Sequence, residues 1–160
     1  MSGATDLVPA PLVYVDTNVF ITGFESPIEA AKPVQDFLLR LRERPGSAVT
    51  SELTLAELLA PVSRPGGLPT PVKRRLYLDL LIWSKMFDLR PITRDILIET
   101  ADLRCATRHT LPDAIHLVTA IRAQCRYFLS YDNGVRPPQG MERIPPDRPG
   151  IDVVLRAWTQ

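Results

Sequence analysis

The sequence predicts an α/β fold built on a parallel sheet, and three observations carry that expectation. Short apolar runs alternate with longer segments of helical period, the pattern of strands joined by crossover helices. Two of the runs, Leu12-Val13-Tyr14-Val15 and Tyr127-Phe128-Leu129-Ser130-Tyr131, each finish on an aspartate, Asp16 and Asp132. Open α/β sheets bind their ligands at the carboxyl ends of their strands, so two strand-end carboxylates on one rim point to a site there.

The elements follow in order. Strand one is expected over Leu12–Asp16, then a short helix from Asn18 and a longer one over Ile28–Arg44. In the longer helix Val34, Phe37, Leu38 and Leu41 fall on one stripe, and Pro45-Gly46 stops it. Ser47–Thr50 is a short second strand, and Ser51 caps a helix over Glu52–Ser63. The Pro- and Gly-rich stretch Arg64–Pro71 separates it from a helix over Val72–Met86, with Leu76, Leu80 and Trp83 on one side. Phe87–Ile92 is a weak third strand. Thr93 caps a helix over Arg94–Arg108, with Ile96, Ala101 and Leu103 among the inward candidates.

Pro112 sits in the favoured first turn of the next helix, which runs to Gln124. That helix hands the chain to the amino edge of strand Tyr127–Tyr131, so its own start, with Asp113, lies near the carboxyl edge. A Pro-rich connection then leads to an expected final strand over Ile151–Leu155.

Composition narrows the class of protein. The chain has 160 residues, 45% hydrophobic and 23% charged, which suits one globular domain spanning 1–160. No apolar run approaches the roughly 18–20 residues of a membrane span, and Met1–Asp6 lacks the basic start and apolar stretch of a secretory signal. Cys105 and Cys125 have no Cys-x-x-Cys spacing and read as two reduced core thiols of a cytoplasmic protein. A net charge of +1 advertises no global nucleic-acid field, although Arg40–Arg44 and Lys73–Arg75 form local basic clusters.

Four acids converge on topological grounds. Asp16 and Asp132 end strands, Asp113 opens a helix at that edge, and Glu57 lies on the helix leaving strand two. Glu57 is about 9 Å along its helix from Ser51, but helical side chains lean towards the amino end and can reach the rim. Carboxylates crowded in one cleft repel unless a cation neutralises them. Hard oxygen donors of this kind suit Mg²⁺ or Mn²⁺. Asp16 and Asp113 are the first candidate ligands, with Glu57 and Asp132 acting directly or through water. Thr17, Asn18, Ser51, Ser130 and Asn133 flank the acids and can orient them or bind phosphate. His116, three residues after Asp113, shares its helix face and reads as a packed or ligand-orienting histidine. His109 sits in a connection and is incidental.

At these residues the sequence strongly resembles the PIN-domain family of metal-dependent ribonucleases, and within it the VapC-type toxins of bacterial toxin–antitoxin pairs. The likeness lies in Val13-Tyr14-Val15-Asp16-Thr17-Asn18-Val19-Phe20, in Thr50–Leu59 with Glu57 as its acid, in Leu111-Pro112-Asp113-Ala114-Ile115-His116-Leu117-Val118-Thr119-Ala120, and in Phe128-Leu129-Ser130-Tyr131-Asp132-Asn133. It runs from about residue 12 to 155. It implies a three-layer α/β/α sandwich with strand order 3-2-1-4-5. It also implies endonucleolytic cleavage of RNA with Mg²⁺ or Mn²⁺ at Asp16, Glu57, Asp113 and Asp132. A cognate antitoxin, and a homodimer or a dimer of toxin–antitoxin pairs, are the implied partners. The sequence departs from the family pattern at Tyr131, where Asn is common, at Glu52, a second acid in motif two, and in its long Pro-rich 135–150 segment.

Two other readings use the same residues: a PIN nuclease of RNA processing, and a catalytically weak module that binds RNA or antitoxin. A phosphatase of the haloacid dehalogenase type would want a second Asp two residues after the first, where this chain has Asn18.

Overall fold

The computed structural model describes residues 9–62 and 64–160; Met1–Asp6 and Ser63, the expected end of the third helix, lie outside the described residues. Five parallel strands form one sheet in the order β3-β2-β1-β4-β5, the order that the family resemblance implies. The strands are β1 (Val13–Val15), β2 (Ala48–Ser51), β3 (Phe87–Arg90), β4 (Tyr127–Leu129) and β5 (Glu142–Ile144). The helices are α1 (Thr17–Glu25), α2 (Ile28–Leu41), α3 (Glu52–Leu59), α4 (Thr70–Leu78), α5 (Arg94–Ala106), α6 (Leu111–Arg122) and α7 (Arg148–Ala157).

Successive strand side chains point to opposite faces of a sheet, and the core divides accordingly. Val13, Val15, Ala48, Tyr127 and Leu129 join Phe37 and Leu41 of α2 and Ile151 and Val154 of α7 on one face. Tyr14, Val49 and Phe128 join Leu117 and Ala120 of α6 on the other. With α5 packed on α6, this gives three layers. The central strands β1 and β4, buried on both faces, read as apolar runs without alternation.

Several elements differ from the expectation. Ile151–Leu155 is not a strand but the middle of α7, and β5 lies earlier, inside the Pro-rich segment at Glu142–Ile144. Asp147 caps α7 through Gly150 N at 2.9 Å, and Pro149 sits in the first turn, where its missing N–H costs nothing. Ile151, Val154 and Trp158 are the buried positions, at helical spacings of three and four. The expected helix to Met86 is α4 followed by a π-helical turn over Asp79–Trp83. Leu76 and Leu80 pack against the core as expected and Tyr77 and Leu81 are buried beside them, whereas Trp83 is 61% exposed. On α5 the inward side chains include Ile96 and Thr100, whereas Ala101 and Cys105 face out; the Cys105 thiol is therefore not a core residue. Cys125 is buried, as expected. Among the described residues no helix is long and apolar enough to cross a membrane.

Candidate active site

The parallel sheet brings the ends of β1 and β4 side by side, with Val15 opposite Leu129. The chain leaves β1 through Asp16, whose extended backbone and side chain cap α1: Thr17 N donates to Asp16 Oδ1 at 2.8 Å. Ser130, just past β4, donates to Asp16 Oδ2 at 2.6 Å, and Asn18 Nδ2 donates to the same oxygen at 3.1 Å. The Ser130 hydroxyl also accepts from Asn18 Nδ2 and Asp132 N, each at 3.0 Å, and Asn18 Oδ1 accepts from Tyr131 N at 3.2 Å. One serine and one asparagine thus tie the two strand ends together around a carboxylate that is 6% exposed.

Burial raises the Asp16 pKa above the ordinary carboxylate value, because a charge out of water is disfavoured. The nearby His116 and the hydrogen bonds from Ser130 and Thr17 N partly offset that rise.

Glu57 reaches this cluster from the last turn of α3. Its Oε2 accepts from the Thr17 hydroxyl and lies 2.9 Å from His116 Nε2. Burial pushes the Glu57 pKa up, but the contacts with His116 and Thr17 outweigh it and leave the group below its ordinary value. Beneath it, Thr50 Oγ1 donates to Val15 O at 2.8 Å and pairs with Thr54 Oγ1, also at 2.8 Å. Those buried hydroxyls fix α3 against the end of β1.

His116 is held on its other side by a residue absent from the sequence-level candidates. Tyr14, in the centre of β1 and fully buried, places its hydroxyl 2.6 Å from His116 Nδ1. Burial, together with the Asp16 charge, raises the Tyr14 pKa far above 10.0, so the phenol keeps its proton, and we assign it as the donor in this pair. His116 Nδ1 is then the acceptor, and the ring proton sits on Nε2, facing Glu57. The hydrogen bonds run in one direction, from Tyr14 to His116 to Glu57. A tyrosine in an apolar strand has the sequence signature of core packing, which it also performs by stacking on Phe128 at 4.9 Å.

Asp113 and Asp132 complete the set at the rim. Asp113, in the first turn of α6, accepts from Thr110 Oγ1 at 2.6 Å. Asp132 Oδ1 accepts from Gly134 N at 2.7 Å. Asp16, Glu57, Asp113 and Asp132 all line one cleft of about 250 Å³, together with Thr17, Asn18 and His116. Ser130 stands behind Asp16. Ser51 is not in the cleft lining; its hydroxyl accepts from Leu53 N at 3.1 Å and caps α3. Asn133 is exposed on the turn beside the cleft. His109 accepts from Arg136 N at 3.2 Å, anchoring the segment after the fourth motif.

The family model of the PIN domain matches residues 13–137, more than three-quarters of the chain. The chain belongs to the PIN-domain family. PIN domains are generally nucleases that use divalent metal ions. Solved structures similar to this PIN domain include a toxin–antitoxin complex from Klebsiella pneumoniae, at 20% identity over 84% of this chain and 97% of that one, with a TM-score of 0.60. Another is FitAcB from Neisseria gonorrhoeae, at 19% identity over 84% and 98% of the two chains, with a TM-score of 0.61. At such identities the likeness is one of fold. No curated protein sequence matches the chain.

The donors are carboxylate oxygens, the ligand type preferred by hard divalent ions that keep part of their water. Asp16 accepts three hydrogen bonds, and an ionised carboxylate offers about four lone-pair positions, so one remains, on Oδ1. Among the described residues no three His, Cys, Asp or Glu side chains converge closely enough to hold a metal ion by themselves. An open set of carboxylates with room for water and substrate oxygens is the manner in which Mg²⁺ is held.

Proposed function

We propose that this PIN domain is an Mg²⁺- or Mn²⁺-dependent endoribonuclease, the toxin of a VapBC-type pair. The observation that carries the reading is the convergence of Asp16, Glu57, Asp113 and Asp132 on one cleft at the carboxyl edge of the sheet. Asp16 and Asp113 would hold the ion, with Glu57 and Asp132 contributing directly or through water. When bound, the ion lowers the pKa of water and stabilises charge developing on a phosphodiester.

The chain's own residues prepare for that chemistry. Thr17 N, Ser130 and Asn18 fix Asp16 and supply hydrogen bonds that favour its ionised form against the cost of burial. Thr17 and His116 hold Glu57 ionised and aimed at the cleft. Both carboxylates are thus oriented before substrate arrives, which reduces the reorganisation needed during reaction. The fold likeness to a toxin–antitoxin complex supports an antitoxin partner and a cytoplasmic setting.

Incubation of purified protein with single-stranded RNA tests the reading. Cleavage should need Mg²⁺ or Mn²⁺, stop on chelation and fall to background in Asp16→Asn. Metal-dependent cleavage that survives Asp16→Asn unchanged would refute the assignment. Growth arrest on expression, relieved by co-expression of an antitoxin encoded beside it, separates a toxin from a processing nuclease.

A further inference from the structure

Arg64 is the one cation among the described residues lining the acidic cleft, and no sequence motif singles it out. It follows α3 in the Pro- and Gly-rich connection to α4. Its guanidinium has a single charged neighbour, Glu25 at the end of α1, with Arg64 Nη1 3.8 Å from Glu25 Oε2. That is an ion pair beyond hydrogen-bond distance. Arg64 Nη1 is buried and has no hydrogen-bond partner.

The partner is itself fixed. The Glu25 side chain is 1% exposed, and its Oε1 accepts from the Tyr77 hydroxyl at 2.8 Å. A buried carboxylate anchored by a buried tyrosine holds the arginine in place by charge; the side chain stays 34% exposed, and among the described residues its guanidinium makes no hydrogen bond. Arg90, by contrast, makes a direct 2.8 Å contact with Asp88.

An RNA strand entering this cleft brings phosphates towards four carboxylates. A guanidinium with free donors matches a phosphate in charge and in geometry. We infer that Arg64 is a substrate-binding residue that takes a backbone phosphate of single-stranded RNA at the mouth of the acidic cleft. The inference rests on the nuclease reading above. It makes Arg64 a contact for any sequence, since phosphates carry no base information.

The test measures binding in an Asp16→Asn background, which removes cleavage, using a mixed-sequence single-stranded RNA of about twenty nucleotides and fluorescence anisotropy across a salt series. Adding Arg64→Gln should weaken binding about tenfold. The slope of log affinity against log salt should become shallower by about 0.7, the value for one lost phosphate contact on a single strand. Arg64→Lys, which keeps the charge, should recover part of the affinity and shows that loss is not misfolding. Arg75→Gln, on the exposed face of α4, removes the same charge elsewhere. Equal weakening by Arg64→Gln and Arg75→Gln, or none by Arg64→Gln, would overturn the assignment while leaving the nuclease reading intact. A wild-type protein that neither binds nor cleaves RNA overturns both.

Discussion

Replacing Tyr14 by phenylalanine isolates the hydrogen bond that orients the site. Phe keeps the ring that stacks on Phe128, so packing is preserved and only the hydroxyl 2.6 Å from His116 Nδ1 is removed. His116 is 2% exposed, so no water replaces the lost donor easily. Leaving a buried acceptor unpaired costs about 1–3 kcal/mol. Taking about 2 kcal/mol, a chain of this size should lose about 4–8 °C in Tm. With a urea m-value of about 2 kcal/mol/M, the midpoint should fall by about 1 M.

The second consequence is functional. Without the phenol, the His116 proton is no longer confined to Nε2, and Glu57 loses its fixed donor. Tyr14→Phe should therefore couple to Glu57→Gln, although Tyr14 reaches Glu57 only through His116. Urea unfolding of the two single variants and the double variant should give a coupling energy of about 0.5–3 kcal/mol. Additivity, with a Tyr14→Phe effect under about 0.5 kcal/mol, would refute the directed chain of hydrogen bonds.

Other predictions rest on separate features. Asp16 has a raised pKa in the folded protein, so the native state binds more protons than the unfolded one as pH rises past the ordinary aspartate range, and stability falls there. Asp16→Asn removes that loss. Measured without divalent metal, the variant's stability relative to wild type should rise between pH 4 and pH 7, and a falling difference would contradict the desolvated site. Gly150→Ala should cost about 3 kcal/mol or prevent folding, because a Cβ there would lie 1.8 Å from Pro145 O, a backbone atom that cannot swing aside; an unchanged Tm would contradict the packing of α7 on β5. Mg²⁺ or Mn²⁺ at about a hundred times its Kd should stabilise the wild type by about 2.7 kcal/mol and Asp16→Asn far less; equal stabilisation would place the ion elsewhere.

The acids of the cleft were legible because their signals are local, whereas the strand order came only from the likeness of the four motifs to a known family. An apolar run ending in Asp16, a Ser51 cap before Glu57, and Pro112 in the first turn of the helix of Asp113 each fix an element boundary beside a carboxylate. Where two local signals competed, reading failed. Ile151-Asp152-Val153-Val154-Leu155 is rich in β-branched residues, which favour strands, yet Asp147 and Pro149 start a helix and the buried positions repeat at helical spacing. Glu142–Ile144 is too short and polar to stand out, and it becomes a strand because β4 offers it a free edge. The roles of Tyr14 and Arg64 depend on contacts with residues 102 and 39 positions away, and no spacing rule carries those.

The source of the oxygen added on cleavage distinguishes a metal-activated water from every other nucleophile. If the acidic cleft works through attack by water, RNA digested in ¹⁸O-enriched water with Mg²⁺ or Mn²⁺ should give a product phosphate carrying one ¹⁸O, read by mass spectrometry. A 2′,3′-cyclic phosphate without label would mean that the RNA's own 2′-hydroxyl attacks, and would contradict the account.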